Sequence, residues 1–198
     1  MKTTPLIGLR AAALTIGLAM ATVASAAEPV LIIHGGAGVI RRNNNAADEA
    51  AIRQALETAL KRGHAELSAG KPALDAVTAA ITVLEDSPYF NAGKGAVFTH
   101  EGRNELDASI MDGHTQAAGA VGGVRHIKNP ILLARAVMEK SPHVMLMGAG
   151  AETFAKEQGF AMTPASYFRT EKRWQQLQNA KKEAAKQASL ALPEYLKY

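Results

Sequence analysis

Residues 31 to 38 read LIIHGGAG, an apolar, partly β-branched run that ends in a histidine and three glycines within five positions. Continuous apolar runs of this length, bounded by glycine, predict a buried strand over Val30–His34 followed by a tight turn. A strand followed by a glycine turn is also where phosphate is often cradled, and the string fails that test twice. No Gly-Lys-Ser/Thr follows for a P-loop, and the third glycine of a dinucleotide fingerprint would fall on Arg41. The segment that follows, RRNNNAADEA, is polar instead of opening a helix at once. The thin backbone of this turn therefore serves something other than a phosphate.

Upstream of the run, the first 26 residues differ from the rest of the chain. Lys2 and Arg10 form a basic start, AAALTIGLAMATV an apolar stretch too short to span comfortably, and Ala24–Ala26 a small-residue cleavage pattern. They predict a signal peptide over 1–26 and an exported, periplasmic or secreted protein with no membrane role after cleavage. Removing those two cations and no acids lowers the formal charge of +4 to +2 and weakens any nucleic-acid reading. The 198 residues contain no cysteine, so packing rather than disulfides must hold the fold.

Downstream, apolar spacing at Ile52, Leu56, Ala59 and Leu60 predicts a helix from about Ala47 to Leu67, interrupted by Gly63. A second helix opens at Pro72 with a stripe of Leu74, Val77, Ile81 and Leu84. An irregular loop, DSPYFNAGKGAVF, leads to a short strand near Ala96–Thr99. A hairpin is predicted around the turn formers Asp112 and Gly113, its second strand made of Ala, Gly and Val. Such small residues allow a neighbouring layer to approach closely. Asn129 and Pro130 mark a cap and first turn, HVMLMGAG a buried strand, AETFAKEQG a short helix ended by Gly159. A last helix begins near Ser166, with Trp174 and Leu177 able to dock it. This order of elements predicts a layered α/β fold, with sheet edges that need covering.

No complete catalytic set stands in the chain by itself. The six histidines lack metal-ligand spacing, Asp107 and Asp112 suit ladder and turn roles, and there is neither a G-x-S-x-G elbow nor a thiol.

Five strings, in order, carry a resemblance. They are IIHGGAG, LEDSPYFNAGKGAVFT, ELDASIMDG with AGAVGGVRHIKNPILLARAVME, and SPHVMLMGAGAETFA. Together they resemble the plant-type asparaginase and isoaspartyl peptidase family, and the likeness runs from about Pro29 to Gln178. The resemblance implies an N-terminal-nucleophile hydrolase with an αββα sandwich, made as a precursor that cuts itself before a threonine. That threonine attacks the amide with its own α-amine as base. No threonine in these 198 residues follows a glycine, so the chain is expected to be the α subunit or a truncated precursor, inactive without a Thr-bearing β subunit. The divisions would be 27–178 for the α subunit and 179–198 for a solvated linker before the cut.

The same resemblance implies that His34, Gly35 and Gly36 border the nucleophile, that His34 helps place the linker, and that Asn91 edges the active site. A loop-capping role for Asn91 stays open. It further implies a structural sodium ion held by the backbone carbonyls of Leu84, Glu85, Ser87, Phe90, Ala92 and Lys94, or else a plain structured loop, with no organic cofactor. The expected assembly is an (αβ)2 dimer acting on small amide or β-aspartyl dipeptide substrates. A glycosylasparaginase-like amidohydrolase subunit and a stand-alone binding or scaffold protein descended from the family are the alternatives.

Overall fold

The computed structural model describes residues 28–36 and 46–191, with side chains to Ala188. The predicted signal peptide, Arg41 and the end of the predicted linker lie outside the described residues. Helix α1 (Ala46–Ser68) and helix α2 (Ala73–Asp86) pack against each other, and their contact contains the fully buried Ala59 with Ala80, Leu84 and Phe90. Gly63, which sequence alone reads as an interruption, sits where this contact is tightest. A Cβ there would come within 2.5 Å of Leu31 and 2.8 Å of the Ala76 carbonyl oxygen.

A three-stranded sheet follows, with β1 (Leu106–Met111), β2 (Ala118–Val124) and β3 (Met145–Met147) in that spatial order. The β1–β2 pair is antiparallel with Ser109 opposite Ala120, and the ladder shifts register between Leu106 and Ala108. At that irregularity Asp107 Oδ1 accepts the amide of Gly123, whose φ is 64°. β3 runs parallel to β2, reached through helix α3 (Pro130–Lys140). The crossover helix lies directly on the sheet: a Cβ at Gly119 would lie 2.2 Å from the Ala134 carbonyl oxygen. The small residues of β2 thus permit the close layer expected of them. Ile110, Val121, Ile131, Leu133 and Val137 fill the core between them, with Phe168 fully buried at its margin. Helix α4 (Gly148–Glu157) and helix α5 (Glu171–Ala191) complete the described chain.

Several local expectations need correction. Residues 28–36 are extended but join no ladder, and alternate positions face outward, leaving Val30 80% and Ile32 87% exposed. Burial on one side only is why the segment reads as a buried strand and is not one here. Near Ala96–Thr99 a single bridge, Phe98 to Asn104, replaces the predicted strand. The hairpin loop runs from Asp112 to Ala117, because Asp112 accepts bonds from the His114 amide and the Thr115 hydroxyl and Gln116 takes a φ of 61°. β3 is three residues long and mostly exposed, and α4 begins at Gly148. The final helix starts at Glu171, after a 3-10 turn at Ala165–Tyr167, and stays helical through Ala191. Trp174 docks it as expected, edge-on to Phe98 at 5.3 Å.

Candidate active site

The candidate site is built on the loop between α2 and β1. Two acidic residues, Glu85 and Asp86, end α2, where the helix dipole disfavours negative charge. Both find compensation outside their helix. Glu85, only 3% exposed, accepts the Ile131 amide at 3.0 Å through Oε1 and so caps α3 from a neighbouring element. Asn129, the expected cap, makes no capping bond. Its amide donates instead to Asp86 Oδ1, beside bonds from the Lys128 ammonium and the Tyr167 hydroxyl. Burial pushes the Glu85 carboxyl up to about 7 despite the Ile131 and Asn129 donors, and its Oε2 has no partner. These bonds fix the start of the loop to the sheet's crossover helix.

From Ser87 the loop folds back on itself. A Cβ at Gly93 would lie 2.2 Å from the Glu85 carbonyl oxygen, and one at Gly95 would lie 2.1 Å from that of Phe90. The Gly95 amide bonds the Ala92 carbonyl and the Ser87 amide bonds that of Leu84. Asn91 is exposed, and its Oδ1 accepts the Val97 amide at 2.9 Å. Asn104, buried, donates its side-chain amide to the Ala96 and Val97 carbonyls from the other side. The Arg173 guanidinium, 8% exposed, donates from α5 to the Gly95 carbonyl at 2.7 Å, and burial lowers its pKa. The loop is therefore clamped by α2, α5 and Asn104 while leaving Asn91 at the surface.

The glycine turn meets this loop through Phe90. A Cβ at Gly35 would lie 3.1 Å from the Phe90 ring and 3.2 Å from Leu56, so this position is thin because two side chains press on it. Gly36 differs: its φ is 95° and no atom of the described residues lies within 4 Å of where a Cβ would point. Its amide donates to His34 Nδ1 at 3.2 Å, which fixes the exposed imidazole over the turn. His34, Gly35 and Gly36 thus stand one buried aromatic ring away from the segment that carries Asn91.

Over residues 27–196 the chain matches the family described as asparaginase. It belongs to that family. It is 50% identical over 159 residues to the isoaspartyl peptidase of Escherichia coli (strain K12), a match covering 80% of this chain and 50% of that protein. Against the plant-type L-asparaginase of Pyrococcus abyssi the identity is 47% over 147 residues, 74% of this chain and 47% of the relative. A match to the isoaspartyl peptidase/L-asparaginase of Mus musculus is 44% over 158 residues, 80% and 48% of the two chains. The chain spans about half the length of these relatives. Its mixed α/β architecture of helices and a small sheet is consistent with the N-terminal-nucleophile hydrolase fold of the family.

Sequence reasoning did not single out Glu85, Asn104 or Arg173 as side chains that shape this site. For Glu85 a signal existed, since Glu85 and Asp86 close a helix at the end where acids need outside partners. Arg173 sits among Glu171, Lys172, Gln175 and Gln176, and although Trp174 and Leu177 mark a docking side, nothing in the sequence separates Arg173 from its solvated neighbours.

Proposed function

We propose that this chain supplies the non-nucleophilic part of a threonine-nucleophile hydrolase of β-aspartyl peptides and L-asparagine. The observation that carries the reading is the packing of the His34–Gly36 turn, through Gly35 and Phe90, against the loop bearing Asn91. Family membership and the half-length match to relatives named isoaspartyl peptidase support it. The attacking threonine, in this reading, is not among the 198 residues, and the protein acts as a pair of unlike parts that associate further into a dimer.

Within it, Gly36 presents no side chain to the approaching nucleophile, and His34 orients that backbone through its ring nitrogen. Asn91, its Oδ1 engaged by Val97, keeps its amide hydrogens free to position the threonine or a water. In this reading the loop holds a monovalent cation: the Glu85 and Phe90 carbonyl oxygens lie against Gly93 and Gly95, and the backbone carbonyls of Leu84, Ser87, Ala92 and Lys94 would be the other ligands. Such an ion would hold the loop's shape and take no part in bond breaking. Export is part of the proposal, supported by the start of the family match at residue 27, next to the predicted cleavage point.

The test is hydrolysis by protein isolated natively together with whatever remains bound to it. It should release aspartate from a β-aspartyl dipeptide and ammonia from L-asparagine. Asn91→Ala should fold and lose at least about tenfold in kcat, as removing a positioning group at the reacting centre does. No hydrolysis of either substrate by a preparation holding both parts would overturn the reading. For the cation, the melting temperature should be higher in sodium chloride than in choline chloride at equal ionic strength, and equality would remove the ion from the account.

A further inference from the structure

Outside the candidate site, one cavity of about 210 Å³ is lined by three arginines, Arg103, Arg125 and Arg169, with Asn104, Ser166 and the apolar walls of Phe98 and Phe168. None of its lining residues is acidic. Arg103 reaches the nearest carboxylate, Glu105, only at 3.9 Å and from a half-exposed position. Among the described residues no carboxylate pairs with the guanidinium of Arg125 or Arg169. Glu152, which accepts the backbone amide of Arg125, is taken up by that bond, by the His126 amide and by the His126 ring.

The arginine placed most firmly is Arg169. Its guanidinium carbon stands 4.1 Å from the Trp174 ring centroid and 5.9 Å from that of Phe98. Stacking fixes the plane of a guanidinium and leaves its edge, where the N–H donors lie, free for an in-plane acceptor. Gly102 makes this arrangement possible, for its φ is 81° and a Cβ there would press on Trp174 at 3.2 Å. Arg103 and Arg169 are exposed and Arg125 is half-buried, so solvent screens much of their mutual repulsion, and an anion facing all three would gain from each of them.

We propose that this cavity binds a small phosphate-type dianion, either free phosphate or the phosphoryl group of a short ester. Guanidinium forks match the oxygen spacing of phosphate, and a tetrahedral oxyanion can face three donors from one position. The cavity accommodates the phosphoryl group with a few further atoms against Phe98 and Phe168. Ser166 adds a hydroxyl donor at the rim.

Trp174 is the protein's one tryptophan, so its emission reports directly on Arg169. Inorganic phosphate, titrated into the natively isolated full chain at constant ionic strength set with sodium chloride, should change that emission saturably, with a Kd of about 1 mM or tighter. By calorimetry, Arg125→Gln and Arg169→Gln should each weaken binding about tenfold or more. Arg125→Lys should lose less, and Lys61→Gln, on the remote face of α1, should lose nothing. A short phosphate ester binding tighter than free phosphate would identify the ester as the ligand; the reverse would identify the free ion. A response reproduced by added chloride, one untouched by the arginine changes, or binding of succinate in preference to phosphate would overturn the proposal.

Discussion

On the face of the sheet that meets α3, Leu106, Ile110 and Val121 are buried beneath Leu133 and Val137. On the opposite face of the same strands, Met111, Met145 and Met147 are 59%, 51% and 64% exposed, with Met145 and Met147 leaning over Gly122. Only the period of two along each strand separates these residues. The extended segment repeats the contrast, with Leu31 against Gly63 on one side and Ile32 87% exposed on the other. Apolar side chains that cost nothing in the sequence pattern are thus finished core on one face and unfinished core on the other. In the proposed reading the second face is where the remaining part of the hydrolase packs.

Substitutions can break this contrast. The largest effect is expected at Leu133, fully buried between α3 and the sheet: Leu133→Ala should cost about 2–5 kcal/mol in urea unfolding. Next comes a pair of glycines on β2. Gly119→Ala places a methyl 2.2 Å from the Ala134 backbone oxygen and should cost about 1–3 kcal/mol or more. Gly122→Ala meets the flexible ends of Met145 and Met147 at 3.1 and 3.3 Å and touches Asp107 Oδ1 at an ordinary 3.5 Å, and should stay within about 0.5 kcal/mol. Equal losses at the two glycines would mean the faces are not different in kind.

Smaller still, Met147→Ser should leave the isolated chain's urea midpoint nearly unchanged, within about 0.5 kcal/mol. The same change should weaken the assembled protein measurably, which separates a free surface from a docking face. The smallest effect concerns pH. Burial raises the Glu152 carboxyl, but the amides of Arg125 and His126 and the His126 ring outweigh it and hold its pKa below the ordinary 4.5. A depressed carboxylate stabilises the fold above its unfolded pKa, and that contribution is lost as pH falls through the folded value. Wild type should therefore exceed Glu152→Gln in stability near pH 7, the gap closing as pH drops below about 4.5. A gap that widens in acid would contradict the assignment of these bonds.

How far the sequence speaks depends on which neighbours decide a residue's place. Helices α1, α2 and α3 are legible because their apolar stripes and the proline at the start of α3 are local signals, and the small residues of β2 announced a close layer. The segment Val30–His34 departs from the strand its pattern predicts because that pattern records burial on two sides, while the described residues cover only one. Asn129 reads as a cap by type, yet Glu85, 46 positions before Ile131, accepts the amide that a cap would take. His34, Gly35, Gly36 and Asn91 are candidates that the ordered motifs supply, and their roles belong to the proposed function. Of the clamps on the loop, Asn104 acts across seven and eight positions of an irregular loop, and Arg173 across 78, and neither spacing belongs to a helical or strand pattern.

The account's central claim is that the exposed face belongs to an interface between unlike parts of one hydrolase. Native mass spectrometry of the protein isolated from its own cells tests it most directly. The account predicts a complex in which this chain, lacking its first 26 residues, is bound to a second chain that begins with threonine. A monomeric chain that is folded, cooperative in unfolding and free of any partner would contradict it and favour a stand-alone binding protein of the same descent.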